Sequence, residues 1–229
     1  MANDKNNKED QPRLDMYLAC QPVFTRHQTV EAVEILFRQL DGRSGTSMSE
    51  LESTLAVVLG TYSHIFRGGK IRSVPVFLPL PRELLLQPDL PSLPRNQYIL
   101  EINGEGEVTP ELVDRLGELA AKGYRLALYD PDPTREALRP LLPFIHVVKV
   151  EVRHLDSDAL AQTIATLKRH GLDVLAHGID SQETFRACVA LDFRYFQGNF
   201  LANPTPVPGR KLSNNKQLLL RLLVELQNP

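Results

Sequence analysis

Two periodicities alternate along most of this chain. Short apolar runs typical of buried strands are separated by segments in which apolar residues recur at helical spacing. The strand-like runs are Met16–Phe24, Thr29–Arg38, Val74–Leu80, Gln97–Ile102, Tyr124–Asp130, Ile145–Glu151, Leu172–Ile179 and Phe193–Phe200. The helix-like segments are Ser49–Phe66, Pro81–Gln87, Thr109–Gly123, Thr134–Leu142, Ser157–Gly171, Ser181–Leu191 and Lys216–Gln227.

This succession predicts an α/β fold with a largely parallel sheet. The first two runs are joined by the turn "TRHQ", which indicates an antiparallel pair, and the later runs are continuous apolar strands separated by helices. Eight strands of this kind favour a closed, TIM-like (β/α)8 barrel with an antiparallel first strand. A doubly wound open sheet is the alternative, but the chain lacks a G-x-G-x-x-G turn after its first strand.

Composition places the chain among ordinary globular proteins and gives no sign of a DNA or membrane partner. Its 229 residues are 42% hydrophobic and 24% charged, with a formal net charge of −2 and no apolar run of membrane-spanning length. The isolated cysteines Cys20 and Cys188 lie in apolar segments, which indicates free thiols in the cytoplasm. We expect a disordered lead at residues 1–15, the barrel at 16–209, and a C-terminal helix at 210–229.

Charged and polar residues cluster where the predicted strands end, which is where barrel enzymes place their chemistry. Several carboxylates at one mouth would repel each other unless a cation offset them, so the set suggests a metal site or acid–base chemistry. The candidates are Glu34, Arg38, Glu101, Tyr129, Asp130, Lys149, Glu151, His177, Asp180 and Gln197.

Each candidate also has a purely structural interpretation. An acid at a strand end can cap a helix or be solvated, and His177 alone can be a hydrogen-bonded packing residue. Arg38 can form an ion pair with Glu34 or another acid. Lys149 is different, because a lysine within an apolar strand needs a partner. Only the set on consecutive strands favours a functional site.

Several motifs follow one another in an order that resembles the EAL domain, the fold of bacterial cyclic di-GMP phosphodiesterases. They are "YLACQPVF", "EILFR", "LEI", "LALYD", "VKVE", "LAHGID" and "QGNFLANP". The resemblance spans nearly the whole chain. The segment "YDPDPTREALRPLLPF" and the final "NNKQLLLRLLVELQNP" resemble the branch that joins an EAL domain to an HD-related output domain (EAL–HDOD proteins), so this chain is expected to continue into a further domain.

The resemblance implies roles for the matching residues. Family chemistry uses two divalent cations, Mg²⁺ or Mn²⁺, and a glutamate that activates water for attack on a phosphodiester. The residues that match the family's ligand-binding or metal-binding positions are Glu34, Leu36, Arg38, Glu101, Asp130, Lys149 and Gln197. Substituted positions are Pro79 for a metal-binding asparagine, Tyr129 for an aspartate, Glu151 for an aspartate, His177 for the general base, and Asp180 for a glutamate.

These substitutions imply that catalysis is lost and that no cofactor is bound. A tyrosine with an ordinary pKa near ~10 stays neutral where an anionic ligand is needed, and Pro79 offers no side-chain oxygen. The chain is therefore predicted to be a degenerate EAL domain that acts as a signalling or protein-interaction module, with a protein partner or as a homodimer. Alternatives are a metal-independent cyclic di-GMP receptor, in which Arg38 clamps a phosphate, and a residual metal-dependent phosphodiesterase.

Overall fold

The fold is described from a computed structural model, which describes residues 16–39, 74–88, 93–130, 132–153 and 157–206. Several predictions therefore lie outside the described residues: the lead at 1–15, the helix Ser49–Phe66 and the C-terminal segment 210–229. The same holds for the side chain of Arg38, although its backbone lies in a described strand.

The described residues form nine strands, of which eight close into a barrel. They are β1 Met16–Phe24, β2 Val30–Gln39, β3 Val76–Leu80, β4 Tyr98–Asn103, β5 Arg125–Tyr129, β6 Val147–Glu151, β7 Asp173–His177, β8 Tyr195–Phe196 and β9 Thr205–Pro206. Strands β2 to β8 pair in parallel and in chain order, and β1 lies antiparallel between β8 and β2. The predicted barrel with an antiparallel first strand is confirmed.

Four α-helices are found on the described part of the chain: α1 Arg82–Leu85, α2 Pro110–Ala121, α3 Ser157–Arg169 and α4 Gln182–Ala190. Side-chain caps explain where two of them begin. The Thr109 hydroxyl accepts a hydrogen bond from the Leu112 amide (3.3 Å), and the Ser181 hydroxyl accepts one from the Thr184 amide (3.1 Å).

The structure corrects the sequence prediction in three places. The segment Thr134–Leu142 and the residues after it form two 3-10 turns, Glu136–Leu138 and Leu142–Phe144, because Pro140 and Pro143 interrupt α-helical hydrogen bonding. Strand β8 is shorter than the predicted Phe193–Phe200. Residues Thr205–Pro206, for which the sequence predicts neither strand nor helix, form β9, which pairs with β1.

The apolar residues divide between two sides of the barrel wall. One cluster packs between the strands and the helices. The second fills the barrel interior with one residue from each of the first eight strands, in agreement with the period-2 alternation of strands. Its members are Val23, Ala32, Phe77, Ile99, Ala127, Val147, Leu175 and Tyr195.

Candidate functional site

The candidate site is the next set of interior residues above this apolar cluster. Each of them lies two positions nearer the mouth on its strand, which keeps it on the same face of the sheet. On the antiparallel β1 the step runs backwards along the chain. The set consists of Gln21, Glu34, Pro79, Glu101, Tyr129, Lys149, His177 and Gln197.

A buried ion triplet forms the centre of the site. Lys149 on β6 donates to Glu34 Oε1 on β2 (Nζ–Oε1 2.6 Å) and to Glu101 Oε2 on β4 (3.2 Å). The three residues are 4%, 3% and 7% exposed, respectively. The partner that the sequence required for Lys149 is therefore a pair of carboxylates from two other strands.

The pKa values of the Glu34 and Glu101 carboxyl groups shift in opposite directions. Burial alone would raise the pKa of Glu34, but the charge and hydrogen bond of Lys149 outweigh it and lower that pKa. For Glu101, burial dominates over the attraction of Lys149, and its pKa is raised. Burial would lower the pKa of Lys149, but the charges of Glu101 and Glu34 raise it above its ordinary value. Lys149 is thus held as a cation by both carboxyl groups, and it favours the ionised form of Glu34 more than that of Glu101.

Gln197 completes the buried cluster on the β8 side. Its Nε2 donates to Glu34 Oε2 (2.6 Å), while its Oε1 is buried without a hydrogen-bond partner among the described residues. The following residue must be glycine, because a Cβ on Gly198 would lie 2.0 Å from the Ile179 carbonyl oxygen. This close approach explains the local sequence "QG".

Tyr129 lies beside the buried ammonium group. The Lys149 Nζ is 5.6 Å from the centre of the Tyr129 ring, a cation–π distance, and the His177 ring meets the same ring edge-on at 6.0 Å. Burial, followed by the nearby charge of Glu151, raises the pKa of Tyr129, so the phenol is neutral at physiological pH. On strand β3, Pro79 is paired with Glu101 of β4 and offers no polar side-chain atom.

The rim of the mouth carries a second ionic group. His177 Nδ1 donates to Glu151 Oε2 (3.0 Å), and Arg153 donates to both oxygens of Glu151 through Nε (2.9 Å) and Nη2 (3.1 Å). Burial would raise the pKa of Glu151, but the hydrogen bonds from His177 and Arg153 lower it well below its ordinary range. Glu151 is therefore an anion already bound by two groups of its own chain.

Asp130 lies apart from the interior cluster. It directly follows Tyr129 and therefore belongs to the opposite face of the strand, where its Oδ2 accepts from Arg135 Nη2 (3.0 Å) and Nε (3.2 Å). A Cβ on Gly104 would lie 2.6 Å from the same oxygen. The carboxylate is thus enclosed by a guanidinium group and a close glycine backbone.

Two arginines also hold the loop between β4 and α2. Arg135 donates to the carbonyl oxygens of Gly104 and Gly106, and Arg82 donates to those of Glu105 and Glu107. The carbonyl groups of four successive residues therefore accept hydrogen bonds from Arg135 and Arg82 in alternation. This loop follows the strand that carries Glu101, so the two arginines fix that side of the mouth.

Two further candidates, Asp180 and Leu36, lie outside the buried ionic cluster. Asp180 is exposed and its nearest described hydrogen-bond donor is the Thr184 hydroxyl (3.5 Å). Leu36 is half-buried on β2, two residues beyond Glu34. The structure thus brings Glu34, Glu101, Lys149 and Gln197 together and leaves Asp180 outside.

Gln21, Arg135 and Arg153 are site residues that the sequence prediction missed. Gln21 is buried, and its Nε2 donates to the Ala202 carbonyl oxygen (3.1 Å), which connects β1 to the loop after β8. Counting two residues back from Val23 along an antiparallel strand would have identified it. For Arg135 and Arg153 the sequence offers no comparable signal, since both come from loops.

The side chains present do not fit the pair of divalent cations that the resemblance implies. Within the described ranges, no group of three His, Cys, Asp or Glu side chains could hold a metal ion. Glu34 and Glu101 are bound to Lys149, Glu151 to Arg153 and His177, and Asp130 to Arg135. A hard cation requires several free oxygen ligands, and Pro79 supplies none.

Two curated proteins are similar to this chain over most of its length, although no family model matches it. One is the uncharacterized protein YuxH of Bacillus subtilis, 26% identical over 217 residues, which covers 93% of this chain and 53% of that protein. The other is the cyclic di-GMP phosphodiesterase CdgJ of Vibrio cholerae, 24% identical over 218 residues, covering 93% and 50%. The chain spans about half the length of these relatives.

A solved structure defines the fold class. The Bacillus subtilis YkuI protein, which has an EAL domain and was solved in complex with cyclic di-GMP and calcium, superposes with a TM-score of 0.67 at 16% identity, covering 93% of this chain and 62% of that one. This protein is thus a (β/α)8-type barrel with an antiparallel first strand. More particularly it has the EAL-domain fold, which confirms the family resemblance of the motifs.

No helix in the described ranges has both the length and the apolar character needed to cross a membrane.

Proposed function

We propose that this chain is a non-catalytic EAL-fold domain that serves as a signalling or protein-interaction module in cyclic di-GMP-related regulation. One observation carries the proposal: the carboxylates of the mouth are bound by cations of the same chain. Hydrolysis that depends on carboxylate-bound metal ions needs these oxygens free. The neutral Tyr129 and the apolar side chain of Pro79 support the same conclusion.

The test is a direct assay of cyclic di-GMP hydrolysis. The whole chain is incubated with cyclic di-GMP in Mg²⁺ or Mn²⁺, and the linear dinucleotide is measured by chromatography, with the Vibrio cholerae CdgJ protein as the positive control. We expect product formation at least ~100-fold slower than with the control, since the loss of one general base alone typically costs that much. Linear product at a comparable rate would refute the proposal.

The partner of such a module would be a protein or a second copy of the chain. Support comes from the segment Lys216–Gln227, in which apolar residues fall on nearly all sides of the predicted helix, a pattern typical of helices buried on more than one side. Sedimentation equilibrium of the whole chain tests the homodimer. A monomer at all concentrations would leave a different protein as the proposed partner.

A metal-independent receptor for cyclic di-GMP is the second candidate, and the rim favours it. The Arg153 guanidinium group, whose side chain is 48% exposed, lies at the mouth together with His177 and the Tyr129 ring. Planar donors suit phosphates, and aromatic rings suit bases. The YkuI complex shows that this fold can accept the nucleotide in that relative.

Calorimetric titration with cyclic di-GMP in EDTA separates the two candidates. A receptor would give saturable heat without metal, and Arg153→Gln would weaken binding by at least ~10-fold, as expected for loss of a charged hydrogen bond. The matched control is Arg169→Gln, an exposed arginine at the end of α3. Absence of heat would eliminate the receptor and leave the interaction module.

A further inference from the structure

The centre of the mouth contains a positive charge that belongs to the chain itself. We infer that, where Pro79 and Tyr129 have removed oxygen ligands that the resemblance implies, the Lys149 ammonium group is left as the counter-ion of Glu34 and Glu101 in place of a divalent metal ion, so that the mouth is neutralised internally and takes up no divalent cation. This inference deepens the proposed function and rests on the same site. It assigns Lys149 the role of a tethered cation.

Two acidic groups and one aromatic ring surround Nζ. The ammonium group has carboxylate oxygens from β2 at 2.6 Å and from β4 at 3.2 Å, and the face of the Tyr129 ring at 5.6 Å. These three neighbours come from different strands. Because the ammonium group is almost fully buried, its charge is screened little by solvent and its attraction for both carboxylates is strong.

A divalent ion could enter only by displacing this group. Lys149 lies within β6, which is paired on both sides with β5 and β7, so its backbone cannot withdraw. Displacing Nζ from its carboxylates would leave a buried, unpaired ammonium group, which is strongly unfavourable. The incoming ion would also find few further ligands, because Glu151 and Asp130 are held by Arg153 and Arg135.

Removal of the ammonium group should expose a latent cation site. Without it, Glu34 and Glu101 would face each other, and the Gln197 Oε1, which has no described partner, would be the third oxygen nearby. Two carboxylates and an amide oxygen, completed by water, are ligands that Mn²⁺ and Ca²⁺ accept. Lys149→Met keeps the length and apolar stem of the side chain and removes its charge.

The experiment compares the whole wild-type chain and Lys149→Met in EDTA, Mn²⁺ and Ca²⁺. Melting temperature is measured by scanning fluorimetry, and free Mn²⁺ by its electron paramagnetic resonance signal. For the wild type we expect one melting temperature in all three conditions and an unchanged signal. For Lys149→Met we expect a melting temperature about 10 °C lower in EDTA, recovered in part by Mn²⁺ or Ca²⁺, with loss of the free Mn²⁺ signal.

Lys168→Met is the matched control, because Lys168 pairs with the exposed Asp192 at the surface. Its melting temperature should change little, and its Mn²⁺ signal should match the wild type. Stoichiometric Mn²⁺ binding by the wild type would overturn the inference, as would a folded Lys149→Met that leaves Mn²⁺ free. If Lys149→Met does not fold, the double variant Lys149→Met, Glu101→Gln should recover folding, because it removes one charge of each sign. A double variant that also fails to fold would overturn the inference.

The outcomes separate this inference from the proposed function. Wild-type Mn²⁺ binding without linear product from cyclic di-GMP would overturn the internal counter-ion and leave the non-catalytic role standing. Linear product formed in EDTA would overturn the non-catalytic role alone.

Discussion

Gly178 directly follows β7 in a left-handed backbone conformation, with φ of +84°. A Cβ at this position would lie 2.0 Å from Glu151 Oε1 and 2.8 Å from Arg153 Nε, so a side chain would disturb the rim pair as well as strain the backbone. We expect Gly178→Ala to lower the free energy of unfolding by about 2–4 kcal/mol, the sum of a backbone and an overpacking cost. Urea denaturation measures it.

Gly171 provides the control for the backbone cost. It also has a left-handed backbone, with φ of +73°, but no atom lies within 4 Å of an added Cβ. Gly171→Ala should therefore cost only about 1 kcal/mol. Equal losses in the two variants would mean that the close contact at the rim is not a constraint.

Glu151 makes the stability of the rim depend on pH. Its pKa is lower in the folded chain than in the unfolded one, where it is ~4.3, so its contribution is complete above that value and is lost as the pH falls through the lower folded pKa. We expect the wild type to lose stability below about pH 4 more steeply than Glu151→Gln. Urea midpoints measured across the acid range would test this; parallel curves would contradict it.

Helix α2 is connected to the turn after α1 by one buried cation. Arg115 donates to the carbonyl oxygens of Leu85 (2.8 Å) and Gln87 (2.5 Å) and pairs with Glu118. Arg115→Met would leave two carbonyl groups without a donor, so we expect the free energy of unfolding to fall by about 2–4 kcal/mol.

Arg139→Met is the comparison for Arg115→Met, measured by the same urea denaturation. Arg139 pairs with Glu136 at the same i,i+3 spacing, but the two side chains are 69% and 84% exposed. Its loss should change the free energy of unfolding by less than about 0.5 kcal/mol, because exposed ion pairs contribute little. A similar loss in both variants would show that the backbone contacts of Arg115 are unimportant.

The barrel closes along a seam with few paired residues. Strand β1 pairs with β2 along its whole length, but with β8 only at Phe24 and with β9 only at Ala19 and Cys20. Opening at this seam would expose Cys20, which is half-buried, before Cys188, which is a buried residue of α4. Local openings of this kind need less free energy than global unfolding.

Thiol labelling in increasing urea measures the seam directly. Burial raises the pKa of both thiols to about 11, so both should react slowly in the native state. We expect Cys20 to react faster and with a weaker dependence on urea, while Cys188 follows global unfolding. Cys20→Ser and Cys188→Ser assign the two rates. Equal rates and urea dependences would mean that the seam opens only with the whole barrel.

Much of the interior site could be predicted, because the strand period places every second residue on one face. Glu34, Glu101, Lys149 and Gln197 were identified from strand ends and motifs, and the structure brings them together. Asp130 was grouped with them, yet it lies one residue out of phase and is bound by Arg135 on the other face. The 3-10 turns after β5 were mispredicted because helical spacing outweighed two prolines.

The sequence by itself determined the succession of the first eight strands and the alternation of faces along each of them, since backbone geometry sets these locally. The tertiary structure alone decided which charges meet. Lys149 is 115 residues from Glu34 and 48 from Glu101, and only barrel closure brings them into contact. The attraction between an ammonium group and a carboxylate falls with distance, so the ionic contacts of the mouth follow from the fold and not from local sequence.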